Sequence, residues 1–113
     1  KKIWFIFRHR KLLLEDILDS ISKIKQYVND LTFDEFNLDS KTIDAVIRNF
    51  EIIGEASNKV PEEIKNEYPE IEWKKIIGLR NRIIHEYFGV DNSIIWFIIE
   101  NELDQFENRI KIF

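Results

Sequence analysis

Residues 8–31 read RHRKLLLEDILDSISKIKQYVNDL. Leu14, Ile17, Ile21, Ile24, Val28 and Leu31 recur at alternating steps of three and four, the period of one apolar stripe on a long helix. Such a helix buries its stripe only against other helices, so this stretch points to an all-α bundle. Isoleucine is abundant throughout the chain and invites a strand reading, but its spacing is helical.

Downstream, Thr32-Phe33-Asp34-Glu35 has the form of a capping box. It predicts a short helix that returns Phe33, Phe36 and Leu38 to the core. Asp39 or Ser40 caps a second long helix with Ile43, Val46, Ile47, Phe50 and Ile53 as its stripe. Gly54 interrupts that helix at a cost of about 1 kcal/mol relative to alanine, which close approach of another backbone would explain. Val60-Pro61 ends the region, and Pro61 suits the first position of a short helix through Glu67. Tyr68-Pro69 stops that helix. A third long helix follows from about Glu72 to Phe88, with Gly89 as its C-terminal cap. Asp91 or Asn92 opens a fourth, carrying Ile95, Ile99, Leu103, Phe106 and Ile110. Four long helices with short connections predict a single domain over residues 1–113, an antiparallel up-and-down four-helix bundle with additional short helices.

Composition agrees. The chain has 113 residues, three glycines, two prolines and no cysteine. That length buries a core without disulfide or metal support, and the missing cysteines fit a reducing, cytoplasmic setting. A net charge of −4 restricts any contact with RNA to local clusters of cations. Lys1-Lys2 followed by Ile3-Trp4-Phe5-Ile6-Phe7 begins like a signal peptide. Its apolar run is too short for a signal core or a membrane span, so an extension of the first helix, or an apolar arm covering a partner, is expected. The chain starts on Lys1 rather than methionine, as a sequence trimmed at its start would.

Gly78-Leu79-Arg80-Asn81-Arg82-Ile83-Ile84-His85-Glu86-Tyr87-Phe88-Gly89 carries the chemistry. At about 100° per residue, Trp73, Ile76, Ile77, Ile83, Ile84, Tyr87 and Phe88 fall within about 80° of Arg80, which places the arginine mid-stripe. A guanidinium keeps its charge in any protein environment, so it needs an anion or a wet cleft there. Pairing with Glu51 or Glu55 would make it structural. Asn81 and His85, four residues apart, share one shoulder of the stripe. Arg80, Asn81 and His85 are the candidate catalytic set, with Arg48, Lys74, Lys75 and Arg82 as candidate RNA contacts.

Arg-Asn, three residues, His, one residue, Tyr resembles the signature of the HepT-like toxins, a branch of the HEPN superfamily of small helical ribonucleases. Ala45 to Ala56, Tyr68 to Trp73 and Tyr87 to Asp91 also look like that family. The similarity runs from about Leu14 to the C-terminus and leaves Lys1 to Arg10 unmatched. It implies a homodimer along the motif helix with a composite cleft, and a cognate MntA-like minimal nucleotidyltransferase antitoxin that transfers AMP to Tyr87.

From the residues themselves, a histidine can act as base or acid and an arginine can clamp a phosphate. One chain supplies one His85, while two chains supply enough for both proton transfers of RNA cleavage. His9 and His85 are the only histidines, so no metal site and no cofactor is expected. A phosphate-binding glycine loop and a nucleophile elbow are both absent. The competing reading is a non-catalytic helical adaptor for a nucleotidyltransferase, which would need apolar positions rather than this polar set.

Overall fold

The stripe on residues 8–31 folds as a helix that starts earlier and stops sooner than its period suggests. In a computed structural model, which describes the backbone of residues 2–85 and 91–112 and the side chains of residues 10–85 and 91–111, α1 spans Lys2–Val28. The segment before Arg10 is therefore an extension of the first helix. Ile17, Ile21 and Ile24 are fully buried, with Leu13 and Val28 nearly so. Leu31 lies past the end, because Asp30 adopts φ 64° and turns the chain. Aspartate tolerates this left-handed conformation better than most residues.

α2 (Phe33–Asn37) carries the complete capping box. The Thr32 N–H donates to Glu35 Oε1 at 3.0 Å and the Glu35 N–H donates to Thr32 Oγ1 at 3.2 Å. Phe36 is fully buried and stacks against Trp96 with ring centroids 5.0 Å apart. Leu38 does not reach the core. It is 87% exposed as the C-cap of this five-residue helix, where the chain turns toward Asp39.

α3 (Ser40–Lys59) is capped by Asp39, whose carboxylate accepts from the Thr42 N–H at 3.1 Å and the Thr42 hydroxyl at 2.6 Å. The hydroxyl bond, then the amide bond, holds this carboxyl below its ordinary 3.8. A depressed carboxyl stabilises the fold fully above its unfolded value and loses that contribution as the pH falls below it. Asp39→Ala is therefore expected to lower the melting temperature at neutral pH and to lessen the further loss seen on acidification. Circular dichroism melts at both pH values check this, and an acid response identical to wild type would remove Asp39 from the account.

α4 (Glu62–Glu67) begins one residue after Pro61, which serves as N-cap rather than first helical residue. α5 (Trp73–His85) is the motif helix. Its expected continuation to Phe88, the Gly89 cap and Tyr87 lie outside the described residues. α6 (Asn92–Asn101) and α7 (Leu103–Ile112) replace the single fourth helix expected from the apolar spacing. The break is at Glu102, whose dihedrals leave the helical region while its N–H still donates to Ile98 O. Ile95, Leu103 and Ile110 remain buried on both sides of the break. The local sequence holds neither glycine nor proline there, so tertiary packing sets the bend.

α1 packs on α3, α3 on α5, and α7 on α1, while α2 touches α3 and α6, and α6 touches α7. Lys25 of α1 bridges Asp104 and Glu107 of α7, the latter at 2.7 Å. Burial pulls this ammonium down, but the two carboxylates outweigh it and leave Lys25 above its ordinary value.

Candidate functional site

α5 is positioned by the glycine that interrupts α3. A Cβ built on Gly54 would fall onto Arg80 Cβ, lie 2.6 Å from Arg80 Cγ and 3.3 Å from the Ile76 carbonyl oxygen. Only a residue without a side chain allows this approach, so the close contact expected from Gly54 is with the backbone of α5 and the stem of Arg80 together.

That contact sets the rotation of α5. Its buried residues are Trp73, Ile76, Leu79 and Ile83, a face centred roughly 45° from Arg80 on the side away from Asn81. Arg80 is thus at the edge of the buried face rather than in its middle, with 26% of its side chain exposed. Leu79, absent from the expected stripe, takes the buried position. Ile77 is half-buried and Ile84 is 41% exposed. Those two apolar residues lie on the same side of Arg80 as Asn81 and His85, both of which are exposed.

The guanidinium is only partly satisfied. Nη1 donates to Asn81 Oδ1 at 2.9 Å, and Nη2 approaches Glu55 Oε1 at 3.9 Å. Nε is buried with no hydrogen-bond partner among the described residues. Glu51 pairs instead with Arg48 at 3.3 Å. Of the two carboxylates that could have made Arg80 purely structural, one is engaged elsewhere and the other is at the limit of an ion pair. Asn81 Oδ1 thus takes up one of the guanidinium's five N–H donors.

The structure brings Arg80, Asn81 and His85 together on one turn and a half of α5. Arg48 sits on α3 and is tied to Glu51. Lys75 is held by Glu102 at 3.0 Å and by Glu72 at 3.5 Å, and its ammonium is raised chiefly by the Glu102 hydrogen bond. Lys74, Lys75 and Arg82 border a groove between α5 and the α6–α7 pair. Among the described residues no group of histidine and carboxylate side chains could hold a metal ion, and no helix is long and apolar enough to cross a membrane.

A family model described as "Ribonuclease HepT-like" matches residues 17–112. A protein of Methanocaldococcus jannaschii named "Putative RNase" is 44% identical over 105 residues, covering 89% of this chain and 87% of its own. A "Probable ribonuclease HepT" of Thermococcus cleftensis is 38% identical over 104 residues, covering 92% of this chain and 94% of its own. A "Putative RNase" of Caldanaerobacter subterraneus is 38% identical over 98 residues, covering 87% and 88% respectively. No solved structure matches the chain. The all-α bundle, the motif on α5 and a match that spans most of the sequence place this chain in the HepT-like ribonuclease family.

Proposed function

We propose that the chain is a metal-independent endoribonuclease toxin whose active site forms where α5 meets α5 of a second copy across a two-fold axis. The observation that carries this reading is the half-made site. An under-partnered guanidinium, an exposed histidine and the exposed apolar Ile84 share one surface of α5. Ile77 and Ile84 give a second copy something to bury, and two-fold symmetry sets the same patch against itself. Arg80 and His85 then converge from both protomers.

In that cleft one His85 takes the proton of a 2′-hydroxyl as its oxygen attacks the adjacent phosphorus. The partner's histidine protonates the departing 5′-oxygen, leaving a 2′,3′-cyclic phosphate and a 5′-hydroxyl. Arg80 meets the charge that accumulates on the non-bridging oxygens, where a preorganised cation is most effective. Cleavage should persist in chelator, and light scattering should report a dimer at micromolar concentration. A strict monomer that cuts RNA would contradict the shared cleft.

Control is proposed to run through Tyr87, which lies outside the described residues. An antitoxin nucleotidyltransferase would transfer AMP to its hydroxyl, adding bulk and negative charge beside the place where substrate phosphate must sit. Coexpression with that partner should add the mass of AMP to the Tyr87 peptide, and Tyr87→Phe should stay toxic in its presence. A neutralised complex with unmodified Tyr87 would mean that the partner inhibits by masking.

A further inference from the structure

Among the described residues, the bundle is open along one seam. α5 packs on α3, while between α5 and the α6–α7 pair lies a groove of about 550 Å³. This is within the range of roughly 300–1,000 Å³ typical of small-ligand pockets. Leu79, Phe97 and Phe106 supply apolar wall, and Phe97 is 57% exposed despite its size. Gly78 faces open space, since a Cβ built there meets nothing within 4 Å. Lys74, Arg82 and Arg109 stand around the groove. Lys74 and Arg109 make no ion pair with the described residues, unlike Lys75, which ties α5 to Glu102. An aromatic face, a bare backbone and surrounding cations suit a flat ring attached to a phosphodiester.

Two residues of the groove wall, Lys74 and Gly78, share a line along α5 with two of the candidate catalytic residues. Lys74, Gly78, Asn81 and His85 are spaced i, i+4, i+7 and i+11 on α5, so they form one line along the helix. Gly78 and Asn81 are about 4.5 Å apart along the axis. A docked helix would need apolar anchors over several turns. Among the described residues on the α6 side, Ile94 and Phe97, one turn apart, are the exposed large apolar residues.

We infer that this groove holds an unpaired nucleobase of the RNA substrate, on the strand that flanks the scissile phosphate. The inference rests on the ribonuclease reading above and adds a preference for single-stranded RNA. Phe97 supplies the stacking face, Gly78 the room, and Lys74 and Arg109 the phosphate contacts.

The test measures binding apart from cleavage. A fluorescein-labelled single-stranded RNA is titrated by anisotropy against the full chain carrying His85→Ala, alone and combined with Gly78→Leu or Phe97→Ala. Gly78→Leu fills the groove from a position with free space, and circular dichroism verifies its fold; Gly78→Ala adds only a methyl group as a milder control. Loss of one base stack should weaken binding by roughly five- to a hundredfold. Gly78→Ala should have a smaller effect, and a duplex of the same sequence should be insensitive. In the His85-containing protein, the same groove variants should raise KM far more than they lower kcat.

Unchanged RNA affinity in folded Gly78→Leu and Phe97→Ala, with cleavage intact, would overturn the groove while leaving the ribonuclease reading in place. So would loss of partner-protein binding alone. A wild-type chain that neither binds nor cuts RNA would remove both.

Discussion

His85→Ala and Arg80→Ala are each expected to reduce RNA cleavage by about 10²-fold or more, with growth inhibition lost in parallel. His85 is exposed at the end of α5 and contributes nothing to the core, so its removal should leave the melting curve unchanged. Arg80 needs a closer control. Its stem lies against Gly54 and its charge is edged by Asn81 and Glu55. Arg80→Lys keeps the stem and the charge but loses the fork that grips two phosphate oxygens, and it should remain well below wild type. Cleavage of a labelled RNA, followed alongside thermal melts, separates chemistry from folding. Full activity in either alanine variant would remove that side chain from the mechanism.

The second large effect is expected at Gly54, which touches the stem of Arg80 rather than its guanidinium. Gly54→Val places a branched side chain where the Arg80 stem and the Ile76 carbonyl already lie. Neither can withdraw without moving α5, because Ile76 and Ile83 are locked in the core. Overpacking of this kind costs about 1–3 kcal/mol. Displacement of Arg80 should also lower activity in protein that remains folded. Chemical denaturation with single-temperature kinetics checks both, and a variant as stable and active as wild type would mean that α3 and α5 are not held by this contact.

Periodicity was enough to read the bundle because each long helix repeats its apolar residues at three and four, and local chemistry was enough for Thr32–Glu35 and Asp39 because caps are made by neighbours. Gly54 was legible for a related reason: a glycine inside an otherwise good helix needs an external cause. The rotation of α5 was not. Leu79 and Ile84 are both apolar, and which one is buried depends on how α3 approaches at Gly54. The bend at Glu102 was equally hidden, since Ile99, Leu103 and Phe106 keep the helical period across it. Leu38 misled because it is the C-cap past the last residue of α2, where the helical period no longer sets which way a side chain faces. The groove beside Gly78 also escaped the sequence, as periodicity identifies apolar residues without telling whether neighbouring helices close over them. In the site itself, the pairing of motif residues on one helix was readable from spacing. The engagement of Lys75 by Glu102 depended on tertiary geometry, whereas Arg48 and Glu51 are three residues apart on α3 and their pairing follows from spacing.

The proposal of a shared active site is tested most directly by a mixed dimer. Wild-type and His85→Ala chains, coexpressed with different affinity tags and purified through both, give a dimer with one His85. If each cleavage event needs a base from one protomer and an acid from the other, this dimer should cut RNA at about one hundredth of the wild-type rate or less. A mixed dimer with half the wild-type rate would mean that each protomer cleaves alone, and would contradict the composite site.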